Sequence, residues 1–318
     1  QLGGGAMAAE LCYVQHRGCA GGSRCRRAAL IALLLVLPTS ASDFEPHRQP
    51  RSGPWFEGWY TRITDAPRGL SAAVVLGAYQ GPRSRNFTQA YVAIVVRYPN
   101  GTVQTEQVFP DAASVKILNR EGKSPRRNPV RGQPPIFSWV SPEGRLDVRE
   151  DSTELDFSLP SGLRVVAELT GRVPWDEAKP DTEGPEGWAA KLPSSFLPTH
   201  YYVHSLASPA AYKVDGLLGT GFAHQESNRG SRLPAAWVWI QGGTAEGVEQ
   251  LVVTGGAFTL AGVTTEQFIV AYRSAQRQWT FRSINLDRIW GEPDGCTGSF
   301  NLSARSSSGR RLFDLQIS

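Results

Sequence analysis

The sequence predicts an all-β protein, a sandwich or barrel of antiparallel strands. Three observations carry this. After Pro54 the chain reads as strands and turns almost throughout; apolar and polar residues alternate with the period of two expected of half-buried strands; and no window shows the i, i+3, i+4, i+7 stripe of an amphipathic helix. At 318 residues the chain is long enough for two ordinary domains or one large β body with a sizeable core.

Residues 1–42 read differently. Arg24, Arg26 and Arg27 form a positive patch, and Ala28 to Leu37 is an unbroken apolar run too short to span a bilayer. Pro38-Thr39-Ser40-Ala41-Ser42 then offers small residues for cleavage, so this segment is expected to be a signal peptide, with a signal anchor as the alternative. The expected destination is the secretory pathway or the extracellular space. Ser40 to Phe44 also resembles the junction of a bipartite leader, which makes a plastid the alternative destination. Cleavage removes Cys12, Cys19 and Cys25 and leaves Cys296 alone, so no intramolecular disulfide is expected and stability rests on core burial. Sequons at Asn86, Asn100 and Asn301 fit a secreted glycoprotein.

The strands follow in order. Leu70 to Tyr79 and Ala90 to Tyr98 are apolar and β-branched, parted by the turn-rich Gly81-Pro82-Arg83-Ser84. Leu146 and Val148, then Leu155, Phe157 and Leu159, alternate with polar residues, and Gly162 to Gly171 repeats the pattern. Val173 to Pro198 carries five prolines among polar residues and reads as a connector wrapping the surface. It divides the chain into halves at 54–195 and 196–318. The second half holds Thr199 to Leu206, Ala236 to Gln241, Gln250 to Ala257, Gln267 to Tyr272, Trp279 to Asp287, Gly298 to Ala304 and Arg311 to Ile317.

Charge excludes one class of partner. The formal net charge is +4, but residues 1–42 hold four arginines and one acid, so the remainder is close to neutral. With no basic stripe and no recognition helix, nucleic acid is not expected as a partner. There is no Gly-x-Ser-x-Gly elbow, phosphate loop or dinucleotide fingerprint. His200 and His204 stand four apart, about 13 Å along a strand at about 3.3 Å per residue, too far to share one zinc ion. No metal site is expected.

Two motifs stand out. The first is Pro54-Trp55-Phe56-Glu57-Gly58-Trp59-Tyr60. The second runs from Pro198-Thr199-His200-Tyr201-Tyr202-Val203-His204-Ser205-Leu206 through Gly219-Thr220-Gly221-Phe222-Ala223-His224-Gln225-Glu226 to Leu233-Pro234-Ala235-Ala236-Trp237-Val238-Trp239-Ile240-Gln241. In order and spacing these resemble the tocopherol cyclase-like family from about residue 54 to 300. The resemblance implies two lipocalin-like halves and the closure of a prenylated hydroquinone to a chromanol without a cofactor. After Glu226 the family has Lys-Asn-Trp-Gly; here Ser227 and Arg229 replace the lysine and the tryptophan. If that tryptophan lines the cavity, Arg229 places a charge where the family has a ring. Asn228 and Gly230 are expected to shape a turn, Gly230 with a positive φ.

The implied reaction needs an acid that delivers a proton to an alkene and a pocket that keeps water from the resulting cation. An apolar pocket favours the neutral acid of a carboxyl group, which makes Glu226 and Glu57 candidate donors. His224, or His200 or His204, is a candidate base for the phenol, with His224 preferred. Trp55, Trp59, Tyr60, Tyr201, Trp237 and Trp239 supply faces for a cation, and His200, His204 and Asn228 supply polar contacts to the ligand. Each has a plainer reading: Trp55 and Trp59 as core, Glu57 as a carboxylate tying strands together. The expected partner is a hydrophobic small molecule, a prenylated quinol or another lipid, with peripheral contact to a membrane. A carrier without catalysis fits the same residues. A carbohydrate-binding sandwich is the third reading, and it requires the tryptophans on the surface.

Overall fold

The computed structural model describes residues 8–12, 53–119, 135–176, 184–192, 197–260, 263–294, 296–297 and 299–317. Apart from Ala8–Cys12, the expected signal peptide lies outside them. The strands are β1 (Ala8–Cys12), β2 (Trp55–Asp65), β3 (Leu70–Gln80), β4 (Gln89–Arg97), β5 (Val103–Val108), β6 (Lys116–Asn119), β7 (Phe137–Ser141), β8 (Gly144–Val148), β9 (Ser152–Ser158) and β10 (Arg164–Thr170). They continue as β11 (Thr199–Val214), β12 (Leu217–Gly230), β13 (Ala236–Gly243), β14 (Gln250–Leu260), β15 (Val263–Arg273), β16 (Gln278–Arg282), β17 (Arg288–Asp294), β18 (Ser299–Arg305) and β19 (Leu312–Ile317). Among the described residues the only helical segments are short 3₁₀ turns, so the all-β expectation holds.

Eleven strands form one sheet in the order β5-β4-β3-β2-β12-β11-β10-β9-β8-β7-β6. β2 and β7 are six places apart, about 29 Å in a flat sheet at about 4.8 Å per strand. Yet the Trp59 and Phe137 rings stack with centroids 4.7 Å apart, and Trp139 meets Trp59 edge-on at 6.0 Å. The sheet therefore curls on itself into a half-barrel. Its inner face packs Trp59, Ile63, Leu76, Ile94, Phe137, Trp139, Phe157 and Val165 into one dry core. Where the curl brings β5 near the β9–β10 turn, Ser161 donates its backbone N–H to Glu106 at 3.1 Å.

The second sheet runs β1-β13-β14-β15-β16, and β17-β18-β19 form a third. Val238, Ile240, Val253, Val270 and Phe281 of the second pack on Phe300 and Leu302 of the third as a separate core. Trp237 and Trp239 alternate with Val238 and Ile240, so they point the other way, toward the outer face of the half-barrel. Arg62 of β2 spans that gap and donates to Gln241 Oε1 at 3.0 Å.

Several elements differ from the sequence reading. β11 and β12 follow the proline-rich connector, yet they complete the first sheet, and the second sheet begins only at β13. β11 runs past Leu206 to Val214 because register shifts between Val203 and Ser208 absorb the extra residues before Pro209. The stretch read as one strand from Trp279 to Asp287 breaks at a 3₁₀ turn, Ser283–Asn285, where Asp287 Oδ2 caps the Arg282 N–H at 2.9 Å. Asn228 and Gly230 lie in β12 rather than a turn, and Gly230 has no positive φ. The Gly230 α-carbon instead faces the Pro198 carbonyl so closely that a β-carbon would stand 2.1 Å from its oxygen. The connector is also packed into the body and does not merely wrap it, since Trp175, Glu186 and Ala189 are buried.

Candidate functional site

The two-residue period of β2 and β12 sorts the motif residues onto two faces. Register pairs Tyr60 with Glu226, Gly58 with Asn228 and Arg62 with His224, so these side chains share the outer face. Trp55, Glu57 and Trp59 share the inner face with Ser227 and Arg229, and Glu57 stands directly across from Arg229. Gly58 marks the division: a β-carbon there would meet Asn228 Oδ1 at 3.1 Å, so its missing side chain makes room for the asparagine.

A cavity of about 860 Å³ lies between the outer face and the second sheet. β2, β3, β4, β11 and β12 wall one side, and β13, β14 and β15 the other; the connector and the turn after β16 close it. Its lining is mostly apolar and aromatic, with Glu226, Asn228 and Glu186 among the few polar members.

Glu226 is the centre of this wall. Its Oε2 accepts three hydrogen bonds: from Tyr201 Oη at 2.5 Å, from Trp239 Nε1 at 3.0 Å and from His224 Nε2 at 3.0 Å. Among the described residues Oε1 takes none, and it is the oxygen left for a ligand. His224 Nδ1 is buried without a hydrogen-bond partner. With its ring proton on Nε2, His224 donates to Glu226 and presents a lone pair at Nδ1. Burial, and then the adjacent Glu226 charge and hydrogen bond, hold the Tyr201 phenol well above the ordinary tyrosine range. Tyr201 therefore stays a donor. The Trp239 ring is met edge-on by Tyr60 at 5.3 Å and by His224 at 6.3 Å, which locks the indole in place.

A residue the sequence did not single out holds this assembly from the far end. Glu186, on the connector, accepts the Tyr201 backbone N–H at Oε1 (2.7 Å) and pairs with His200 Nδ1 at Oε2 (2.8 Å). It fixes the start of β11 and so the direction of the Tyr201 phenol. No periodicity or motif surrounds Glu186, so only tertiary contact reveals it.

Of the twelve candidate residues, the structure gathers Tyr60, Tyr201, His224, Glu226, Asn228, Trp237 and Trp239 at or against the cavity. The others are placed differently. Trp59 is a core residue stacked on Phe137. Trp55 is buried on the inner face, its ring 5.9 Å from the Arg229 guanidinium. Glu57 borders the cavity through its strand, while the pleat turns its side chain inward, away from Glu226. His200 is buried against Glu186, and His204 Nε2 bonds Ser227 Oγ at 2.8 Å; neither lines the cavity. Arg229 does not put a charge in the cavity: it donates to Tyr202 Oη at 2.7 Å on the opposite face. Trp55, Trp59, Trp139 and Trp175 are buried and Trp237 and Trp239 point inward, as the lipid readings expect, whereas Trp188 and Trp290 are exposed. The lining rings of Tyr79, Tyr91, Phe109 and Phe268 come from strands and turns that no motif marked, and Phe56, inside the first motif, lines the cavity without having been singled out.

No family model matches the chain, and no curated protein sequence does. Among solved structures, the fold is similar to that of a candidate AttH from Nitrosomonas europaea, with a TM-score of 0.53 at 15% identity over 90% of this chain and 84% of that one. Kievitone hydratase from Nectria haematococca aligns with a TM-score of 0.41 at 10% identity, over 83% of this chain and 75% of that one. The AttH likeness is one of fold.

Proposed function

We propose that this chain is a tocopherol cyclase-like enzyme that closes a prenylated hydroquinone to a chromanol, with Glu226 as the proton donor. One observation carries the reading: a carboxyl group with three donors on one oxygen and none on the other, set in a large apolar cavity beside Tyr60, Trp237 and Trp239. The two sequence motifs support it, since the structure brings Tyr60 of the first against Glu226 and Trp239 of the second.

In the acid form the proton sits on Oε1, facing the ligand. Its transfer to an alkene carbon breaks the π bond, forms a C–H bond and leaves a tertiary cation beside a carboxylate. The donors on Oε2 then strengthen as charge develops, which lowers the barrier in the manner of an oxyanion hole. Each nearby aromatic face adds roughly 0.5–2 kcal/mol of cation stabilisation. The phenol oxygen closes on the cation, and its proton passes to the carboxylate, restoring the acid. Bonds and protons balance with no external reagent. His224 acts by holding Oε2.

The test is incubation with a prenylated benzoquinol in heavy water. The expected product has shifted retention and the substrate's composition with one hydrogen replaced by a solvent deuterium on carbon. Glu226→Gln is expected to lower turnover by about 10²–10⁴, the usual worth of a general acid, while still binding the quinol. A product heavier by one water indicates capture of the same cation by solvent. Quinol bound but unchanged by the parent protein indicates a carrier, and turnover by Glu226→Gln at the parent rate refutes the assignment.

A further inference from the structure

The mouth of the cavity is rimmed by apolar side chains turned out to solvent. Tyr79 near the end of β3, Phe109 after β5, Leu233 after β12 and Leu286 in the turn after β16 all line the cavity, and all are exposed. Four separate segments thus line the same cavity while exposing apolar side chains to solvent. Trp188 is exposed beside them, its Nε1–H donated to Asn285 at 2.9 Å next to Leu286.

Leu286 is the most telling member. It is 81% exposed and has a φ of +66°. A branched side chain is crowded in that left-handed region, and an exposed leucine gains nothing from burial to offset the strain. Such a position suits a side chain that is buried only when a partner arrives.

Charge indicates which partner. Arg83 and Arg85 lie in the turn after Tyr79, Arg232 precedes Leu233, and Lys191 follows Trp188 by three residues; all four are exposed. Among the described residues, the exposed acids nearest in sequence to lining residues are Asp111 and Glu266. Apolar and aromatic tips among cations fit the headgroup region of an anionic bilayer, where rings and aliphatic tips enter the acyl boundary and cations stay with the phosphates.

We propose that this rim is a membrane-docking surface, seated on an anionic lipid bilayer with the cavity mouth facing the hydrocarbon. The cavity then draws its ligand from the bilayer without exposing it to water. The loading step rests on the reading that the ligand is a lipid; the docking step does not.

The test is co-sedimentation of the full chain with phosphatidylcholine vesicles, either pure or containing about one third phosphatidylglycerol. The expected result is binding to the anionic vesicles, weaker binding to the neutral ones, and loss of the difference in about 1 M salt. Phe109→Ser combined with Leu286→Asn is expected to weaken partitioning by roughly tenfold or more, since two apolar tips are removed. Asparagine tolerates the left-handed backbone, so the turn is kept. Leu218→Ser, at the exposed start of β12, leaves partitioning unchanged, and matching thermal midpoints show that the variants fold.

No binding to either vesicle overturns the proposal, as does equal loss from Leu218→Ser. A dimer in sedimentation velocity that the double variant dissolves assigns the rim to a second copy and also overturns it. Vesicle binding without turnover leaves the surface standing and removes the cyclase; turnover in detergent without vesicle binding does the converse.

Discussion

Replacing Tyr201 by phenylalanine removes one oxygen atom and isolates what the phenol does for Glu226. The ring and its place in β11 remain, as does the backbone N–H bond to Glu186. What is lost is the 2.5 Å hydrogen bond to Oε2, leaving His224 and Trp239 as donors. A hydrogen bond to a charged group contributes roughly 1.5–3 kcal/mol, and about 1.4 kcal/mol is a factor of ten. In the proposed reaction the charge forms only as the proton leaves, so the loss falls on the transition state. The expected result is a fall in kcat of about tenfold to a hundredfold with KM nearly unchanged. The assay is deuteron incorporation in heavy water, followed by mass at saturating and limiting quinol. A rise in KM at constant kcat would mean that the phenol only binds substrate. A kcat within about twofold of the parent would refute charge development on Glu226.

Other expectations follow from the same contacts. Trp59→Ala removes a buried ring stacked on Phe137 and is expected to cost about 3–5 kcal/mol in denaturant unfolding, with quinol affinity of the folded fraction unchanged. Gly230→Ala drives a β-carbon against the Pro198 carbonyl, where backbone cannot yield cheaply; about 3 kcal/mol of destabilisation is expected, and an unchanged thermal midpoint would contradict the close approach. Tyr98 and Tyr212 are each raised to about 12, chiefly by burial and then by Asp215 and Asp65. Because the folded values exceed the unfolded value of about 10, their stabilisation is complete below that pH and is lost as pH rises toward 12. Absorbance titration of the parent against Tyr98→Phe and Tyr212→Phe checks this: the late part of the phenolate rise should disappear with each.

The sequence by itself determined the β class and most of the strands. Alternation from Leu155 to Leu159 or from Ala236 to Gln241 is a local property, because successive side chains on a strand must face opposite ways. The same rule, applied to Trp55 through Tyr60, already separates Glu57 from Tyr60. What it leaves open is which of the two faces meets the cavity. That was decided by the curl of the first sheet, which buries Trp59 against Phe137 of a strand six places away and leaves Tyr60 outside. The pairing of β12 with β2 is equally non-local: it sets Glu226 across from Tyr60 over a sequence separation no periodicity spans. Glu186 and the exposed Leu286 carry no local signal, since a connector carboxylate and a turn leucine acquire meaning only from what stands opposite them. Residue type and period fix how a strand divides its side chains; only the packing of distant strands assigns one face to the core and the other to the ligand.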